Sequence, residues 1–174
     1  GEITMTTETQ NAPTATMDDA ELSGKYLTFL LANESYGLQI LAVQEIIGLM
    51  DIVEVPRTPE FVRGVINLRG RIIPVVELRS KFCMETAEDT EKTCIIVVQI
   101  ENAEGSTVTT GLLVDEVSEV LDIVDEMVEP TPQFGGCVDT SFILGVAKAT
   151  EKVIMLLDET LVLTADELSS LSKS

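Results

Sequence analysis

Phe61-Val-Arg-Gly-Val-Ile-Asn-Leu-Arg-Gly-Arg-Ile-Ile-Pro-Val-Val-Glu-Leu-Arg-Ser-Lys-Phe82 is the stretch whose reading decides the fold. Two short runs rich in branched residues, Val65 to Leu68 and Ile72 to Leu78, flank Arg69-Gly70-Arg71. Glycine supplies the positive φ of a tight turn and branched side chains pack on a pleated surface, so the stretch reads as a β-hairpin. Gly64, just ahead of the first run, marks a kink or a close backbone approach. Pro74 cannot donate to a ladder, which predicts an edge position or a bulge for its strand.

Working outward, the same region is a basic island. From Arg57 to Lys81 the chain carries six of its eleven cations (Arg57, Arg63, Arg69, Arg71, Arg79 and Lys81) against only Glu60 and Glu77, in a chain of net charge −19. Clustered cations in an acidic chain point to a docking face, although each alone also suits solubilising charge on a hairpin.

The flanking sequence is a succession of strands and turns. Tyr26 to Leu31, Tyr36 to Ile40 and Val43 to Leu49 read as three strands before the hairpin, with one helical turn expected at Pro59 to Arg63 and another at Ser80 to Glu85. After the polar link Thr86 to Lys92, the run Thr93 to Ile100 reads as a buried strand containing Cys94, followed by Val108 to Val114 and Val117 to Ile123. Residues 1–24 lack Lys and Arg before the end of an aperiodic polar stretch and are expected to be a disordered tail. Thr164-Ala165-Asp166-Glu167 has a capping-box pattern and predicts a C-terminal helix over 164–172.

An internal repeat organises these elements. Gly37, Leu38, Val43, Glu45 and Ile46 match Gly111, Leu112, Val117, Glu119 and Val120 at a constant offset of 74. After an insertion around Gly135 to Thr140 the offset becomes 81, pairing Phe61-Val62-Arg63-Gly64-Val65 with Phe142-Ile143-Leu144-Gly145-Val146. Two copies of one unit of about five strands predict a mainly β fold of two similar small barrels, one over about residues 25–85 and one over about 93–163, superposable once the insertion is omitted. The copies differ at the turn, where Arg69-Gly70 becomes Thr150-Glu151, so the second barrel is expected to be acidic.

Composition removes most chemistry. The chain has no histidine, which takes away the usual imidazole ligand and general base, and no nucleophile elbow, P-loop, dinucleotide fingerprint or calcium loop. Its three cysteines form no C-x-x-C pair, and with no secretion signal they read as reduced thiols of a cytoplasmic protein. The negative charge disfavours nucleic acid and anionic membranes. The expectation is therefore no catalytic residue, no metal and no cofactor. One rival is weighed: Val138-Asp139-Thr140-Ser141 matches the aspartic-protease signature, and a homodimer bringing two Asp139 side chains together would be an aspartyl hydrolase. A turn or capping role for Asp139 is the plainer reading.

The motif Phe-x-x-Gly-Val-x-Asn-Leu-Arg-Gly-x-x-x-Pro from Phe61 to Pro74 resembles the hallmark of the CheW family of bacterial chemotaxis adaptors. Upstream Leu27-Thr28-Phe29, Tyr36-Gly37-Leu38 and Val43-Gln44-Glu45-Ile46, and downstream Gly111-Leu112-Leu113-Val114-Asp115, resemble the same family. The resemblance implies two SH3-like five-stranded barrels and a non-enzymatic adaptor. Its implied partners are the regulatory domain of a CheA histidine kinase and the cytoplasmic tip helix of a chemoreceptor, the latter in an apolar groove between the barrels. It also implies partner contacts at Arg69, Glu45, Val43, Gly64, Gly111 and Val120. For the last four a purely structural role weighs about equally. A CheW-like regulatory module of a larger signalling protein is the second alternative that this resemblance leaves open.

Overall fold

The computed structural model describes residues 23–82, 84–101, 105–129, 143–149 and 151–158. Residues 1–22 of the tail expected over 1–24, Cys83, Cys137, Asp139, Thr150, the insertion Gly135 to Thr140 and the expected helix at 164–172 lie outside the described residues, while Gly24 at the tail's expected end is already strand.

The chain forms strands β1 (Gly24–Leu31), β2 (Glu34–Gln39), β3 (Val43–Gly48), β4 (Val62–Leu68) and β5 (Arg71–Glu77), then the short helix α1 (Leu78–Lys81). It continues with β6 (Cys94–Glu101), β7 (Thr107–Val114), β8 (Glu116–Ile123), β9 (Val128–Glu129), β10 (Ile143–Ala149) and β11 (Lys152–Leu157). The hairpin of Phe61 to Phe82 is β4–β5, with Leu68 opposite Arg71 and both Arg69 (φ 52) and Gly70 (φ 86) left-handed. That is the primed two-residue turn whose twist matches the strands. Asn67 Oδ1 accepts the Gly70 N–H at 2.8 Å and braces it. At Pro59 to Arg63 there is one turn only, closed by Val62 N–H donating to Pro59 O, before the strand begins.

The strands assemble into a six-stranded sheet, β9-β10-β11-β2-β1-β8, and a five-stranded sheet, β3-β6-β7-β5-β4. Numbered within each repeat, with the two-residue β9 at the end of the six-stranded sheet set aside, both sheets run third-first-second-fifth-fourth, so the duplication is real. Even the details repeat. The parallel pair in one sheet sets Gly37 against Leu156 and in the other Gly111 against Val75, while bulges fall between Val62 and Gly64 and between Ile143 and Gly145.

The expected boundaries at 25–85 and 93–163 do not follow the sheets. Each barrel takes its first two strands from one half of the chain and the others from the other half. The cause is linker length. In this strand order the second and third strands of a unit are parallel and separated by the first, so joining them within one barrel requires a return along the barrel, roughly 26 Å for eight residues. Between β7 and β8 there is only Asp115, and between β2 and β3 only the 3-10 turn Ile40–Ala42. Neither linker reaches, so the chain passes straight into the neighbouring barrel.

Pro74 is likewise not on an edge strand, because β5 lies between β7 and β4. Its missing donor is tolerated because pairing with β7 starts one residue later, at Val75.

Three apolar cores result. Tyr26, Ile123, Ala147, Ile154 and Leu156 fill the six-stranded barrel, and Ile66, Ile73, Val75, Ile95, Val97 and Leu113 fill the five-stranded one. The largest lies between them, with Leu27, Phe29, Tyr36 and Leu38 from one sheet against Val76, Leu78, Phe82, Ile96, Val98 and Leu112 from the other. Tyr36 stacks on Phe29 at 5.9 Å and meets Phe82 at 5.8 Å, so three of the chain's few aromatics form one seam. Burial, then the Glu34 charge, push the Tyr36 phenol up to about 12.

Candidate partner-binding site

Glu45 is placed by an irregularity. The β3–β6 register skips Gln44, and a bulge of this kind re-aims the side chain beside it. Its carboxylate meets the β4–β5 turn, where Arg69 donates from Nη1 to Glu45 Oε2 at 2.8 Å and from Nη2 to Oε1 at 2.5 Å. This fork-on-carboxylate geometry is the strongest form of arginine ion pair. Hydrogen bonding from Arg69, opposed by some desolvation and helped by its charge, holds the Glu45 carboxyl below the usual carboxylate range. The Arg69 side chain is still 67% exposed, so a partner can reach it.

The other barrel carries a counterpart. Glu119, the repeat equivalent of Glu45, faces Lys152 at 3.4 Å. Glu119 is fixed at a bulge too: buried Thr28 donates Oγ1–H to Glu119 O at 2.7 Å and accepts the Glu119 N–H at 3.1 Å. Lys152 has no signal in the turn residues themselves. The offset of 81 carries Arg71, not Arg69, onto it. This barrel is therefore not uniformly acidic, since Lys25, Lys148 and Lys152 pair with Asp122, Glu129 and Glu119.

Apolar exposure follows the same symmetry. Ile46 (42% exposed) follows Glu45 on β3 and Ile72 (66%) lies on the Arg69 hairpin, while Val120 (47%) follows Glu119 and Val153 (56%) follows Lys152. Offsets of 74 and 81 relate the two pairs.

The remaining expected positions divide. Val120 is exposed, as a contact residue must be. Val43 is half-buried, packs on the central core and lines an open cleft of about 660 Å³ with Gln39, Leu41, Gln44, Gln99 and Thr107. Leu41, at the turn between the barrels, is 94% exposed there. Gly64 and Gly111 are buried. A Cβ on Gly64, at φ +149, would lie 2.2 Å from Val53 O, beside the Val53–Val65 bridge that joins the segment after β3 to β4. One on Gly111 would lie 2.7 Å from Ile95 Cγ2. At both glycines close packing leaves no room for a side chain.

The basic island is mostly spent internally. Arg63 pairs with Asp89 at 2.6 Å and with Glu77, Arg71 donates to Thr109 Oγ1 at 3.0 Å, and Lys81 lies 4.6 Å over the Phe61 ring. Arg79 donates Nε–H and Nη2–H to Asp115 at 2.8 and 2.5 Å. Asp115 also accepts the Ala32 N–H at 2.8 Å, which ties the crossover between barrels to both of them. Cys94 is half-buried rather than core, its thiol donating to Lys92 O. No cluster of three or more metal-ligating side chains occurs among the described residues, and no helix there is long and apolar enough to cross a membrane.

Residues 25–167 match the model of the CheW-like domain. The chain belongs to the CheW-like family. It is 37% identical to the chemotaxis protein CheW of Klebsiella aerogenes over 83% of this chain and 84% of that one, and 27% identical to CheW of Bacillus subtilis over 84% and 90%. The crystal structure of the scaffolding protein TtCheW from Thermoanaerobacter tengcongensis superposes with a TM-score of 0.73 at 36% identity, covering 84% of this chain and 96% of that one. The mainly β architecture of two SH3-like barrels is the CheW-like fold.

Proposed function

We propose that this protein is a non-enzymatic, cytoplasmic adaptor of a bacterial chemotaxis system, coupling the cytoplasmic tips of chemoreceptors to the regulatory domain of a CheA-like histidine kinase. The observation that carries this reading is the paired surface: one exposed acid–cation pair with flanking apolar residues on each barrel, Glu45–Arg69 with Ile46 and Ile72, and Glu119–Lys152 with Val120 and Val153. Exposed apolar side chains beside charges that remain reachable have the composition of a docking patch. Two such patches on barrels locked by a shared core suit a bridge. The open cleft at Leu41 and Val43, lined also by Gln39, Gln44, Gln99, Glu101 and Thr107, is a mixed polar and apolar surface on which a receptor helix could lie.

The test is calorimetric titration of the protein with the kinase regulatory domain and with a receptor cytoplasmic fragment from its own host. Saturable binding to both, weakened by Arg69→Glu, is the expected result. Binding to neither refutes the adaptor function.

A further inference from the structure

Among the described residues, four sheet pairings join the two halves of the chain, β1 to β8, β2 to β11, β3 to β6 and β5 to β7, and neither sheet is built from one half alone. The described residues of 23–82 and of 94–157 are interlocking pieces, joined covalently through the link from Cys83 to Thr93. Glu85 to Lys92 of that link are exposed. Among the described residues, the link meets the rest of the fold through Met84, which packs on the central core and donates its N–H to Arg79 O, through Arg79 Nη1–H to Glu85 O, through Arg63 to Asp89 and, at its end, through the Cys94 thiol to Lys92 O. Its other hydrogen bonds are its own, Thr93 N–H to Thr90 O, Thr90 N–H to Thr93 Oγ1 and Lys92 N–H to Thr90 Oγ1.

From this we infer that a second copy of the chain is a competent partner, donating residues 94–157 to the first half of its neighbour and receiving the neighbour's in return. A half from a second copy presents the same edges in the same register, so every pairing and all three cores are reproduced. Closed monomer and exchanged dimer differ only in the path of the link. Exchange of identical elements between copies is a low-cost route to a dimer when the exchanged part is joined by one exposed segment. Here that condition is met by half of the fold rather than by a terminal strand. The dimer has four complete barrels and two copies of each docking patch, which makes it a bivalent form of the same surface. The inference rests on the topology alone and is independent of the adaptor reading.

Refolding tests it. The full chain is unfolded in urea and refolded at low and at high protein concentration, and mass is read by light scattering on a sizing column. A second sample lacks Thr86 to Glu91, which shortens the link of the closed form. Exchange predicts a dimer fraction that rises several-fold with refolding concentration, persists for hours after dilution, and does not trade subunits with a fluorescently labelled sample until both are unfolded. The shortened chain is expected to be dimeric at every concentration with unchanged far-UV dichroism. Monomer throughout from the refolded full chain, or a dimer that dissolves or trades subunits within minutes of dilution, overturns the inference. The full chain decides the matter if the shortened one does not fold.

Discussion

Arg69 grips both carboxylate oxygens of Glu45, joining the β4–β5 turn to a strand 24 residues earlier. Arg69 holds this position at φ 52, a left-handed conformation that disfavours side chains with a Cβ. Strain kept at an exposed, ion-paired turn points to use of the side chain beyond folding.

Arg69→Glu puts two carboxylates face to face where the ion pair stood. Kinase-domain affinity is expected to fall by more than about tenfold. The urea midpoint is expected to move little, because exposed ion pairs contribute little to stability. Glu45→Arg added to Arg69→Glu re-forms the pair with reversed sign. The double variant should likewise keep its urea midpoint and should not recover the affinity, if the partner reads the positive charge of Arg69; recovered affinity shows that only the pair's geometry matters. Lys152→Glu makes the corresponding change on the other barrel and should leave an interaction specific to the Arg69 barrel unchanged in calorimetry.

Much of this was legible in the residues. Val65 to Leu68 and Ile72 to Leu78 alternate and branch as strands do, and the offsets of 74 and 81 disclosed two copies of one unit with matching strand order. The exchange between barrels was hidden because periodicity reports strands and not their neighbours. The clue lay in Asp115 alone standing between two eight-residue strands, too short a linker for a parallel return. The partners of Arg63, Arg69 and Arg79 were hidden for the same reason, since each contact spans sequence distances that no local pattern encodes.

Gly64 and Gly111 test whether buried glycines act through packing. Gly64→Ala must displace Val53 and break two backbone hydrogen bonds of 2.9 Å between Val53 and Val65, in addition to forcing φ +149 on alanine. A loss of about 2 to 5 kcal/mol is expected from urea unfolding. Gly111→Ala meets a side-chain methyl of Ile95 that can shift, and the expected loss is about 1 to 3 kcal/mol. Weaker partner binding with an unmoved urea midpoint in either variant gives that glycine a direct role.

Thr110 is wholly buried and its Oγ1 has no hydrogen-bond partner among the described residues. An unsatisfied buried hydroxyl costs on the order of 1 to 3 kcal/mol, and valine keeps the shape without the polar atom. Thr110→Val is therefore expected to raise the melting temperature by several degrees, in a scan at neutral pH. Its position on β7 between β6 and β5 leaves both docking patches untouched, so binding should not change.

Asp115 links stability to pH. Burial alone would raise its carboxyl, but hydrogen bonds from Arg79 and the Ala32 N–H, with the Arg79 charge, outweigh that and hold it below the usual carboxylate range. A carboxyl that binds its proton less readily when folded stabilises the fold fully above its unfolded pKa. That contribution disappears as pH falls through the depressed value. Asp115→Asn keeps an acceptor for Ala32 and removes only the charge that Arg79 grips. The wild type should therefore exceed Asp115→Asn in urea midpoint at about pH 7, and the gap should close as pH falls through the depressed value and the wild-type carboxyl is protonated. A gap that stays constant over that range assigns the loss to packing, and the Arg79–Asp115 charge pair then contributes nothing to holding the crossover between the barrels.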